Sequence, residues 1–79
     1  MTTTVYTKNF CPYCDMAKQL LTEKGVEYKE INISHSANPD AVLKEIQSFT
    51  SQKTFPQIIL DGNYVGGYTD LRDHYYKTD

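Results

Sequence analysis

Hydrophobic positions along the chain change their spacing several times, and each change marks an element. Thr3-Thr4-Val5-Tyr6-Thr7 is β-branched and aromatic and predicts a strand that stops at Lys8-Asn9-Phe10. A helix begins next: Pro12 suits a first turn, where its missing N–H costs nothing, and Ala17, Leu20 and Leu21 fall on one face. Gly25 can end that helix in the left-handed conformation. Tyr28 to Ile33, built around Ile31 and Ile33, predicts a second strand parallel to the first, which makes a βαβ unit. Asn38-Pro39-Asp40 supplies an N-cap, a first-turn proline and a first-turn acid for a second helix. Its apolar stripe is Val42, Leu43, Ile46 and Phe49, ending near Thr50. Beyond the polar residues 50–54, Gln57-Ile58-Ile59-Leu60 is a third strand, and Asp61-Gly62 signals a hairpin into Tyr64-Val65. Gly66-Gly67 ends the fourth strand. Thr69 is expected to cap a short last helix, with Asp70 in its first turn and Leu71 facing inward. The order β-α-β-α-β-β-α defines an α/β chain.

With 79 residues, 39% of them hydrophobic, short connections and no internal repeat, residues 1–79 are expected to form one domain with a modest core. Eight Lys and Arg against ten Asp and Glu leave a net charge of −2 without a basic cluster. That balance argues against nucleic acid or an anionic membrane as partner. Seven tyrosines could suggest base stacking, but without a basic groove they read as residues covering the edges of the core. No apolar run approaches the ~20 residues of a membrane span, and Met1-Thr2-Thr3-Thr4 lacks the features of a signal peptide, so a cytoplasmic location is expected.

The two cysteines change this picture. Cys11 and Cys14 would close a four-residue loop, contributing at most about 2 kcal/mol in the loop-entropy model, so they are no structural staple. In a reducing compartment such spacing is redox-active or metal-binding more naturally than structural. At a strand-to-helix junction, unpaired N–H groups and the helix dipole stabilise a thiolate on Cys11, and Lys8 adds positive charge nearby. Cys14, one turn later, is shielded yet close enough for exchange. Cys11 is then the attacking sulfur and Cys14 the resolving one. Taken alone, the pair could also be two buried small residues or half of a zinc site. Zinc needs two further ligands, and only His35 and His74, single histidines in polar stretches, are on offer.

The combination Tyr6-Thr7-Lys8, Cys11-Pro12-Tyr13-Cys14, Thr54-Phe55-Pro56 and Gly66-Gly67-Tyr68-Thr69-Asp70 resembles the dithiol glutaredoxins, over essentially the whole chain. The resemblance implies a thioredoxin-like fold, a mixed four-stranded sheet flanked by three helices. It also implies glutathione as reducing co-substrate, with no bound metal, and protein disulfides or glutathione mixed disulfides as substrates. Donors at the start of the last helix, around Gly67, Tyr68, Thr69 and Asp70, would take the glutamyl carboxylate, and Asp70 the ammonium group. Lys8 would meet the glycyl carboxylate, with Gln57 as a polar neighbour, and Tyr13 would line the groove. By the same resemblance Thr54 and Phe55 precede a cis-proline, Pro56, and the Phe55 backbone pairs with the cysteinyl unit as an added strand would.

Two departures stand out. Valine is usual where this chain has Phe55, whose larger ring narrows the groove or extends its apolar wall. Many relatives also continue beyond Tyr75-Tyr76-Lys77-Thr78-Asp79, so the last helix is expected to run only about two to three turns. Lys18 and Lys53 read as solvated lysines, Lys53 beside the groove, and Arg72 has no assigned role. The implied partners are glutathione and disulfide-containing or glutathionylated proteins, ribonucleotide reductase being a candidate among them, acting with a monomer. Two rivals are a redoxin re-reduced by thioredoxin reductase, disfavoured by Thr69-Asp70, and an iron–sulfur-bridged dimer, disfavoured by Pro12-Tyr13 and the second cysteine.

Overall fold

The computed structural model describes residues 2–76. Strand β1 (Thr4–Thr7) pairs in parallel with β2 (Lys29–Asn32) and antiparallel with β3 (Gln57–Leu60), which pairs antiparallel with β4 (Asn63–Gly66). The sheet order is β2-β1-β3-β4. A parallel β1–β2 pair requires a crossover. Helix α1 (Pro12–Glu23) supplies it, α2 (Pro39–Gln47) links β2 to β3, and α3 (Tyr68–Tyr76) follows the β3–β4 hairpin. This is the mixed sheet with three helices that the motifs imply.

Alternation along β1 divides the core between two faces. Val5 and its β3 partner Ile58 face Ala17, Leu20 and Leu21 of α1 and Leu71 of α3, and all six are buried. On the other face, Tyr6 packs its ring 5.6 Å from that of Phe49 and donates its hydroxyl to Glu45 at 2.8 Å. Burial first, and then the Glu45 carboxylate, keep the Tyr6 hydroxyl protonated well beyond the usual tyrosine range. Phe49 meets Tyr64 at 5.2 Å, so aromatic rings span β1, the turn after α2 and β4.

The helix ends show why these segments are helical. Asn38 caps α2 by accepting the Ala41 N–H at 3.2 Å, with Pro39 at the first helical position. Gly25, at φ 70°, ends α1: its own N–H bonds Thr22 O, and the next N–H, of Val26, reaches back to Leu21 O at 2.9 Å. Four sequence expectations need correction. Ile33 opens a 3-10 turn (Ile33–His35) instead of finishing β2, because the Asn32 side chain accepts the Ser34 N–H. Helix α2 stops at Gln47, where the Ser48 hydroxyl donates to Glu45 O at 2.6 Å, although Phe49 still packs inward. Helix α3 starts at Tyr68, which places Thr69 inside the first turn and not at the cap. It covers Tyr68–Tyr76, and residues 77–79 lie outside the described part.

Lys18 is the fourth correction. Its Nζ lies 3.1 Å from Glu30 Oε2, and Thr7 donates to the same oxygen at 2.6 Å, so one carboxylate ties α1 to β1 and β2. The Thr7 hydrogen bond foremost, helped by Lys18, lowers the Glu30 carboxyl below its usual range, and the bond to Glu30 raises Lys18. Folding therefore favours ionised Glu30. Its contribution is complete above the ordinary glutamate value of about 4.3 and is lost as pH falls through the lowered one. Glu30→Gln is expected to lower the melting temperature at pH 7 by up to about 5 °C and to flatten its fall below pH 5, as thermal denaturation from pH 7 to pH 3 will measure.

Candidate active site

Strand β1 leads directly into the cysteines, and the turn between them is pinned from the side. The Asn9 N–H donates to Ser34 Oγ at 3.0 Å, and Asn32 Nδ2 donates to Asn9 Oδ1 at 3.2 Å. Cys11 is the N-cap of α1: its sulfur accepts the Cys14 N–H at 3.2 Å, and its carbonyl accepts from Cys14 and Asp15. Sulfur thus sits where a capping oxygen would, at the positive end of the helix, an arrangement that favours negative charge on it. Cys11 and Cys14 are joined as a disulfide with their Cα atoms 5.2 Å apart. Both cysteines are buried, Cys14 at 1% exposure more completely than Cys11 at 8%.

Beside the cysteines lies a groove of about 210 Å³ lined by Tyr13, Gln52, residues 54–56 and residues 67–70. Cys11 Sγ is 3.8 Å from the Phe55 carbonyl oxygen, and the Phe55–Pro56 bond is cis. The Tyr13 and Tyr68 rings, 6.0 Å apart, join α1 to α3 along one wall. Lys8 Nζ sits 6.0 Å from the centre of the Phe55 ring, so the larger side chain at this position forms a shelf for the lysine.

The far end of the groove is the start of α3. Leu71 N–H to Gly67 O at 3.0 Å closes the first helical turn, which leaves the N–H groups of Tyr68, Thr69 and Asp70 without acceptors inside the helix. Asp70 Oδ2 accepts the Gly67 N–H at 3.0 Å, half of a capping box, so Asp70 does the capping expected of Thr69. A side chain at Gly66, which has φ 124°, would place its Cβ 2.8 Å from Asp70 Cγ. Glycine there is what allows the carboxylate to fold back.

The structure thus brings together Cys11, Cys14, Lys8, Tyr13, Thr54, Phe55, Pro56, Gly67, Tyr68, Thr69 and Asp70. Gln57 stands apart: it is 0% exposed, donates to Thr54 O at 2.7 Å and to Thr54 Oγ1 at 3.3 Å, and accepts the Tyr64 hydroxyl at 2.7 Å. Its amide holds the Thr54 loop and does not open onto the groove. Gln52 lines the groove and escaped the sequence reading, which placed its neighbour Lys53 there. Nothing in a polar run of residues 50–54 distinguishes the two. A larger open concavity of about 1120 Å³, between Gly25–Glu27, the β3–β4 hairpin and α3, contains neither cysteine. Among the described residues no group of three or more His, Cys, Asp or Glu could hold a metal, and no helix is long and apolar enough to cross a membrane.

A Cys-x-x-Cys disulfide capping a helix beside a cis-proline is the centre of a thiol–disulfide oxidoreductase on the thioredoxin fold. The glutaredoxin family profile matches residues 3–65, and the chain belongs to that family. A glutaredoxin of Neisseria meningitidis is 46% identical over 70 residues, 89% of this chain and 80% of its own. Glutaredoxin 3 of Escherichia coli is 42% identical over 67 residues, 85% of this chain and 77% of its own. Among solved structures, glutaredoxin 1 of Francisella tularensis superposes with a TM-score of 0.78 at 34% identity, covering 96% of this chain and 93% of that one. A buckwheat glutaredoxin in complex with glutathione superposes with a TM-score of 0.81 at 27% identity, covering 92% and 67%.

The contact between Gly66 and Asp70 carries a prediction. Gly66→Ala forces the Asp70 carboxylate off the Gly67 N–H while straining the backbone, and is expected to cost about 1–3 kcal/mol in urea unfolding.

Proposed function

We propose that the protein is a glutathione-dependent reductase of protein disulfides and glutathione mixed disulfides. The observation that carries this reading is the groove, which runs from the Phe55 carbonyl beside Cys11 Sγ to the donor-rich start of α3 and so matches a thiol-bearing tripeptide with charged ends. Glutathione lies along it with its cysteinyl backbone on Phe55, following Thr54 and held against Pro56. Its glutamyl carboxylate meets the N–H groups and hydroxyl at Tyr68 and Thr69 next to Gly67, its ammonium group meets Asp70, and its glycyl carboxylate meets Lys8. Tyr13 and Tyr68 wall the thiol in. Gln57 acts at one remove by fixing Thr54.

In the monothiol route the Cys11 thiolate attacks the glutathione sulfur of a mixed disulfide and expels the protein thiolate. A second glutathione then attacks the Cys11–glutathione bond, releasing glutathione disulfide and restoring the Cys11 thiolate. In the dithiol route Cys11 attacks a protein disulfide, one thiolate leaves, and Cys14 displaces the second while forming the Cys11–Cys14 bond. Two glutathione molecules return the two electrons. Ribonucleotide reductase, whose disulfide has this chemistry, is one destination for them, and a monomer in the cytoplasm is the working form.

Cys11→Ser is expected to reduce both activities at least about 1,000-fold. Cys14→Ser is expected to keep reduction of a glutathione mixed disulfide within about threefold while losing reduction of a protein disulfide. Both are followed as NADPH oxidation coupled through glutathione reductase. Equal loss in the two variants contradicts the assigned roles, and turnover by thioredoxin reductase without glutathione contradicts the reductant.

A further inference from the structure

Phe10, immediately before the attacking cysteine, is 99% exposed and has φ 58°. A bulky residue adopts the left-handed region only at a cost, and here the ring gains no burial within the described chain in return. Its placement is nonetheless fixed. Asn9 on one side is hydrogen-bonded to Ser34 and Asn32, and Cys11 on the other caps α1. A large apolar group is thereby held in solvent one residue from the reactive sulfur. Tyr13 and Met16, one turn apart on α1, are exposed as well.

Phe10 takes no part in the groove lining, the Tyr13–Tyr68 wall or the Lys8–Phe55 contact, so none of these accounts for its exposure. A protein substrate does. A chain whose cysteine is bonded to Cys11 brings residues on both sides of that cysteine close to Cys11, and Phe10 is the exposed apolar residue joined directly to it. We propose that Phe10 is a docking contact for protein disulfides, taking an apolar side chain that flanks the attacked cysteine and so setting which disulfides are reduced fastest. The inference rests on Cys11 attacking substrate disulfides. It does not depend on glutathione as the reductant.

A single-turnover experiment separates the two. The pre-reduced full chain is mixed, without glutathione, with either of two peptide disulfides that differ only in Leu or Ser beside the cysteine, or with hydroxyethyl disulfide. Cys11 bonds to one sulfur and expels the other as thiolate. Cys14 then displaces the first, so each disulfide yields two thiols as the protein is oxidised to its Cys11–Cys14 form. The wild type is expected to reduce the Leu peptide about tenfold faster than the Ser peptide, the scale of one aromatic anchor in an interface. Phe10→Asn, which suits a positive φ, is expected to bring that ratio to about one while leaving hydroxyethyl disulfide within about twofold. Phe10→Tyr should retain the preference. A wild type indifferent to the flank, a ratio unchanged in Phe10→Asn, or an equal fall on all three disulfides overturns the proposal. Normal ratios combined with no turnover by glutathione would instead overturn the reductant alone.

Discussion

Sulfur in place of oxygen at the cap of α1 is the constraint around which this glutaredoxin is arranged. The Cys11 side chain accepts the Cys14 N–H, so one sulfur of the redox pair is also the atom that satisfies the helix start. Its position is therefore only as fixed as the helix behind it. That helix is fastened twice: by Ala17, Leu20 and Leu21 buried against Val5 and Ile58, and by the Lys18–Glu30–Thr7 cluster that spans α1, β2 and β1. Core packing and sulfur chemistry meet in one residue.

The second support is polar and lies on the opposite face of the sheet. Tyr64 donates to Gln57, and Gln57 donates to both oxygen atoms of Thr54, which leads into Phe55 and the cis bond. Among the described residues no buried side-chain nitrogen or oxygen lacks a hydrogen-bond partner. A buried amide with every partner present is directional in a way that an apolar residue of the same size is not. It sets where the loop's backbone faces as well as whether the loop is packed.

Elements with strong local signals were legible in the residues. The β-branched run at Val5, the Asn38-Pro39 start and the Asp61-Gly62 turn each depend on chain geometry within a few residues, and each lies where the pattern puts it. The errors occurred where a short polar side chain competes with the backbone: Asn32 diverts Ile33 into a 3-10 turn, and Ser48 draws α2 to its end. The site was legible through its motifs, while the partners of its polar groups were not. Gln57 sits beside the cis-proline in sequence, yet its amide turns to the far face of the sheet, because strand alternation places it with Tyr6 and not with Ile58. Lys18 likewise looks solvated until tertiary structure brings Glu30 beside it.

The start of α3 presents free N–H groups, but the chain has already placed a carboxylate among them, with Asp70 folded back onto the Gly67 N–H. A bare anion approaching this end meets attraction from the helix and repulsion from Asp70, two effects of opposite sign. A group carrying adjacent negative and positive charges meets no such conflict, since each charge faces its opposite. The order of charges at this end of the groove is therefore complementary to a zwitterionic head and not to a bare anion. Such complementarity resides in charge order and not in size, so it asks for no deep or closed groove.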